Sequence, residues 1–171
     1  MKSGVHPKEN HQNMRKRVIE SMKVAPASSS IEDWLDLKQI AHVDVTSEDP
    51  DCPIEDALSS GNGRGWRAGV RGEQAIRLRF DQPQRLRRIR LRFVETEIER
   101  TQEFHLRWWP DDGGLGRELV RQQWNFSPRG STIEVEDYRV ELDAVSVLEL
   151  TIRPELNRGE ALATLAEWLL S

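Results

Sequence analysis

The sequence holds a single cysteine, Cys52, in 171 residues. No disulfide can close within the chain, and no staple fixes its redox compartment. Histidine is scarce as well. His6 and His11 lie near the start, while His42 and His105 sit on separate segments. No His-x-x-x-His, cysteine pair or Gly-x-Ser-x-Gly run occurs, so the usual signatures of a metal centre or an activated serine are missing. No stretch approaches the ~20 apolar residues of a membrane span. Residues 1–27 carry basic side chains without the apolar run of a secretory leader. The expectation is a cytoplasmic, non-catalytic protein with no membrane partner.

Apolar residues make up only 37% of the chain against 32% charged, a balance that suits a thin two-layer β structure with wide solvated faces. The net charge of −4 conceals an asymmetry. Residues 1–30 hold six Lys/Arg against two acidic residues, leaving 19 against 27 in residues 31–171. The body is therefore acidic, which argues against nucleic acid as a partner. The basic segment 1–30 reads as a flexible, solvated tail. Ser30 followed by Asp33 can open a short helix docked by Ile31, Trp34 and Leu35. Leu35 and Leu37 alternating around Asp36 allow an extended tail instead, and the pattern leaves both open.

From Ala41 onward the apolar period is two. Val43 and Val45; Ile76, Leu78 and Phe80; Ile89, Leu91 and Phe93; Phe104, Leu106 and Trp108; Ile133 and Val135; Val140 and Leu142; and Leu148, Leu150 and Ile152 each alternate with polar residues. Each set predicts a strand with one face in the core. Asp81-Gln-Pro83, Pro110-Asp-Asp-Gly-Gly114, Ser127-Pro-Arg-Gly130 and Arg153-Pro154 supply turn chemistry between them. Leu165 and Trp168 can supply a last strand. The class is all-β: an antiparallel β-sandwich, a jelly roll of about eight strands over residues 31–171. On this phasing Arg77, Arg79, Arg88, Arg90, Arg92 and Arg107 point outward. So do Glu134, Glu136, Glu141 and Glu149, and cross-strand charge ladders are expected rather than a basic patch.

The run Ile54-Glu-Asp-Ala-Leu-Ser-Ser-Gly-Asn-Gly-Arg-Gly-Trp66 is a loop with an aromatic stop, followed by strands at 72–80 and 86–93. Phe104 to Trp108 leads into a Gly-rich turn, and Leu165-Ala-Glu-Trp168 closes the chain. In order and spacing this resembles the discoidin family, also called the coagulation factor 5/8 type C domain, among the galactose-binding-domain-like jelly rolls. In that family an Ala opens a ligand-presenting loop and a Trp nine residues later anchors the core, which is the spacing of Ala57 and Trp66. The resemblance implies binding of sugars, lipids or proteins through loops at one end of the sandwich. Many members hold a structural calcium with that loop and the closing Glu. Here the Asp position is Ser59, the Gly position Ser60 and the Thr position Arg64, and of the ligand side chains only Glu167 remains. Calcium wants six to eight oxygens, carboxylates among them; the ion is disfavoured, and Arg64 pairing with Glu167 is the expected substitute.

Nothing assembles into a catalytic constellation. Asp111 and Asp112 beside Gly113-Gly114 read as turn residues. Gly61-Asn-Gly-Arg-Gly65 does not open a helix after a strand, so it is no phosphate cradle. The stretch of interest is Gln122 to Pro128, which presents Trp124 and Phe126 around Asn125, with Arg129 following. Aromatic faces and planar amide or guanidinium donors are what a sugar ring needs. Trp124 and Phe126 also alternate, as two residues entering the core would, and the pattern favours that reading. Trp109 faces opposite to Trp108 and is the exposed aromatic by phase. The candidate ligand residues are Trp109, Trp124, Asn125, Phe126 and Arg129, with Asn62, Arg64 and Arg67 on the second loop. The expectation is carbohydrate binding by loops at one end. The alternative is a protein-interaction module or complex subunit, as in the family's intracellular relatives.

Overall fold

The computed structural model describes residues 33–171 apart from 62, 112 and 158. The expected tail at 1–30 and the Ser30 capping box lie outside the described residues. Residues 33–36 are neither helix nor strand, and a single helical turn, α1 (Leu37–Ile40), follows them. Eight strands come next: β1 (Ala41–Val45), β2 (Trp66–Arg67), β3 (Gln74–Val94), β4 (Arg100–Trp109), β5 (Arg117–Phe126), β6 (Ile133–Arg153), β7 (Thr164–Leu165) and β8 (Glu167–Leu170).

Two of these, β3 and β6, are 21 residues long and pair antiparallel along their whole length. The register between them slips where Arg79 meets Val147 and Gln84 meets Val145. Pro83 stands at this corner, where a residue without an N–H does least damage to the ladder. Asp81-Gln-Pro83 therefore bends one strand rather than separating two. The bent ribbon serves both layers. Its 74–80 and 147–153 parts join β1, β4 and β5 in the order β1-β3-β6-β4-β5, while its other half forms a three-stranded layer with β8 against β3. The Phe93 and Phe104 rings, one from each layer, meet at 5.3 Å across the core.

Ile76, Leu78, Ile89, Leu91, Phe93, Phe104, Leu106, Leu148, Leu150 and Ile152 are all buried, as the alternation predicts. Each such side chain contributes about 1.5–3 kcal/mol of transfer free energy. Ala57 and Trp66 are buried too. The loop between them returns through Gly65 at φ 73°, where a Cβ would lie 2.5 Å from the Leu165 carbonyl oxygen. Only glycine combines that backbone with that approach.

The start of β6 reverses the sequence expectation. Ile133 and Val135 are 53% and 48% exposed, and Glu134 is buried. The cause is continuity. In one unbroken strand Tyr138, Val140 and Leu142 face the core, so the even positions Glu134 and Glu136 must face it too. Further along, shifts in register carry the core face from Leu142 to Val145 and on to Leu148.

Ion pairs run across the strands, as the outward phasing of Arg77 and Glu149 predicts. Arg77 bonds Glu149, Arg79 bonds Asp44 at 2.9 Å, and Arg88 bonds Asp137 at 2.7 Å. The Arg88 guanidinium holds the Asp137 carboxyl below its ordinary range. Glu149 is itself buried, so its pairing with Arg77 is more than a surface ladder rung.

Candidate functional site

The outer face of the five-stranded layer is built from alternate residues of β4 and β5. On β4 these are Thr101, Glu103, His105, Arg107 and Trp109. Opposite them in register stand Asn125, Gln123, Arg121 and Glu118. Two depressions follow this track, one at the loop end of the sheet and one across its middle.

The loop-end pocket encloses about 490 Å³. Its walls are Glu99, Thr101, Asn125, Ser127, Glu155 and Asn157, and its floor is the Arg100 guanidinium stacked 5.3 Å over the Phe126 ring. Thr101 Oγ1 donates to Asn125 Oδ1 at 2.7 Å, which fixes the amide and turns its NH₂ away as a donor. Arg100 is buried and donates to Glu95 Oε2 at 2.8 Å, to Gln102 Oε1 at 2.9 Å and to the Pro154 carbonyl oxygen. Burial alone would raise the Glu95 carboxyl, but the Glu97 and Ile98 N–H groups and Arg100 outweigh it and hold its pKa below the usual value. The Arg100–Glu95 pair thus fixes the floor beneath a rim of amides, hydroxyls and carboxylates. Such groups pair bidentately with adjacent sugar hydroxyls.

The middle groove is larger, about 630 Å³, and is walled by Glu73, Glu103, Arg107, Arg121, Thr151 and Arg153 among others. Arg153 donates to Glu73 at 3.0 Å. Gln123 donates to Glu103 at 2.9 Å. His105 Nε2 lies 2.9 Å from Glu118 Oε2 without hydrogen-bond alignment.

The sequence-predicted residues divide among these places. Asn125 lines the loop-end pocket, and Arg129 is exposed in the turn beyond it. Phe126 is buried in the core and forms the pocket floor, so it offers no free face to a ligand. Trp124 is half-buried against the core. Trp109 is not the open platform expected of it. The Arg77 and Arg107 guanidinium carbons lie 5.7 Å and 5.1 Å from its ring centre, its Nε1 donates to the Gly114 carbonyl oxygen at 3.1 Å, and a Cβ on Gly116 would sit 2.3 Å from the ring.

The second loop does not join the first. Arg67 bonds Asp49 at 2.6 Å just after β1, at the opposite margin of the sheet from β5. Arg64 is exposed, and Asn62 lies outside the described residues. The loop-end pocket is lined by the first loop and by neither Arg64 nor Arg67.

The calcium positions do not form a cage for a hard cation. Ser59 and Arg64 are exposed, the Ala57 carbonyl oxygen accepts from the Trp168 N–H at 2.7 Å, and Glu167 faces Arg90 at 3.7 Å. The expected Arg64–Glu167 pair is replaced by that Arg90 contact. Sequence reasoning missed Thr101, Glu155 and Asn157. Only the β4–β5 register and the course of the 154–163 segment bring them to Asn125.

No family model and no curated protein matches the sequence. Solved structures do. A CBM32-3 module from a family 31 glycoside hydrolase of Clostridium perfringens is 15% identical with a TM-score of 0.61, over 84% of this chain and 97% of that one. The CBM32-5 module of CpGH89 from the same organism, solved with GalNAc-beta-1,3-galactose, is 16% identical with a TM-score of 0.59, over 80% and 98%. A pectin-binding carbohydrate-binding module is 18% identical with a TM-score of 0.57, over 78% and 91%. Likeness at these identities is likeness of fold, and it establishes the chain as an antiparallel jelly-roll β-sandwich of the kind found in those modules.

Proposed function

We propose that this chain is a non-catalytic carbohydrate-binding module that holds its ligand in the loop-end pocket around Asn125. The observation that carries the reading is the pocket itself. A fixed amide, two hydroxyls, a second amide at Asn157 and two carboxylates converge at the strand ends over an Arg100–Phe126 floor. Few, well-placed polar groups in a concavity are what orient a sugar. The solved structures of like fold bound to GalNAc-beta-1,3-galactose and to galactose support the same reading. The discoidin-type assignment is part of this proposal and rests on the Ala57 to Trp66 spacing and the closing Glu167-Trp168.

A glycan array with the whole chain tests it. The expected result is a small set of related saccharides bound by the wild type and lost in Asn125→Ala and in Asn157→Ala. An empty array would sink the reading.

A second reading, a protein-interaction module, has one observation in its favour. Ile133 and Val135 stand exposed on a part of β6 that, among the described residues, pairs only with β3. Exposed apolar residues on such a strand are what a partner covers. Asp substitution at Ile133 and Val135 that leaves a reproducible pull-down unchanged would remove this reading.

A further inference from the structure

The middle groove is not accounted for by the loop-end pocket, and its charges do not balance in the way its composition suggests. Each carboxylate that lines the groove has a partner within the molecule. Glu149 is taken by Arg77, Glu73 by Arg153, and Glu103 by Gln123 and Arg153. The cations are not all consumed. Among the described residues, neither Arg107 nor Arg121 lies within ion-pair distance of a carboxylate. Arg107 is nevertheless held in place, with its guanidinium 5.1 Å from the Trp109 ring centre and its Nη2 reaching the Gly116 carbonyl oxygen at 3.4 Å. Arg121 stands directly across from His105 in the β4–β5 register, and past a register shift at Leu106 and Arg107 the latter stands across from Glu118 on β5 and Glu149 on β6. Arg107 and Arg121 line the same groove.

We infer that this groove is a second binding site, for a carboxylated saccharide whose uronate group is seated between Arg107 and Arg121. The inference rests on the carbohydrate-binding reading and extends it from a neutral sugar at the loop end to an acidic chain along β4 and β5. Guanidinium forks match a carboxylate bidentately. Thr151 and Glu103, which accepts from Gln123, line the same groove and suit ring hydroxyls. Trp109 is a positioning residue that holds Arg107 by its stacked ring. The acidic body of the chain makes the attraction local, so the salt dependence is that of one or two charges and not of a polyanion surface.

The test is calorimetric titration of the whole chain with an oligogalacturonate and with a neutral galacto-oligosaccharide of equal length. The expected result is tighter binding of the acidic ligand by at least tenfold. Arg121→Ala should remove that preference, with the thermal midpoint nearly unchanged because the residue is exposed. Arg107→Ala should do the same. Equal affinity for the two ligands, or an acidic preference that survives both substitutions, would overturn the second site. If neutral binding then remains and depends on Asn125, the loop-end reading stands alone. If neither saccharide binds, both readings fall together.

Discussion

Glu134 is the residue whose perturbation says most about how the sandwich tolerates its polar interior. Its carboxyl is 1% exposed, and no donor among the described residues reaches either oxygen. Glu136 lies two residues along on the same face, where it accepts from the Tyr138 hydroxyl at 2.6 Å. Burial first, and then the neighbouring Glu136, push the Glu134 pKa up to about 8 from 4.5. Burial, with Glu136 beside it, raises the Tyr138 hydroxyl as well. At pH 7 the folded chain thus keeps a proton on Glu134 that the unfolded chain has released. Between the two pKa values the native state binds more protons, so the contribution is fully present below about 4.5 and is lost as pH rises through about 8. One proton gives a slope of at most ~1.4 kcal/mol per pH unit. Summed from pH 5 to pH 8 this is about 3 kcal/mol, or about 10 °C in thermal midpoint for a domain of this size. Glu134→Gln keeps the shape and the polarity but cannot ionise. The assay is scanning calorimetry at unit pH steps on both proteins. The difference in stability, variant minus wild type, should grow in the variant's favour from pH 5 to pH 8. Parallel curves would refute the reasoning, because they would mean that Glu134 is already ionised and hydrated in the folded state.

Two further outcomes follow from the packing. Gly65→Ala adds a Cβ 2.5 Å from the Leu165 carbonyl oxygen on a backbone at φ 73°. It should cost more than about 1 kcal/mol in urea unfolding, and an unchanged midpoint would show that the loop can yield. Arg100→Ala leaves the partly buried Glu95 carboxylate without its guanidinium. The loss should be about 3–5 kcal/mol. Adding Glu95→Gln should recover part of it, whereas fully additive losses would show the two are not coupled.

The strands were legible wherever burial is one-sided and the strand is short relative to its bends. Ile76 to Phe80 and Ile89 to Phe93 announce their inward faces because each run alternates cleanly by itself, burying even positions in the first and odd positions in the second. The phase of Ile133 and Val135 was not legible. Its sign depends on Tyr138, Val140 and Leu142 lying on the same unbroken strand, and local sequence shows two good but opposite alternations. The site was legible only in part. Asn125 is flagged by its aromatic neighbours, yet those neighbours turn inward and serve as floor and core. Thr101 and Asn157 become visible only once register and loop path are known. Trp109 shows the same limit from the other side. Its parity is as read, but the two arginines beside its ring come from β3 and from its own strand, and no spacing rule places the Arg77 guanidinium there.

The central claim is that the pocket around Asn125 holds a saccharide. Calorimetric titration of the strongest array ligand into the wild type and Asn125→Ala tests it most directly. The amide is held by Thr101 and makes hydrogen bonds that alanine cannot replace. The account predicts a loss of at least tenfold in affinity, with both proteins unfolding at nearly the same temperature. Equal affinity in the two proteins would contradict it.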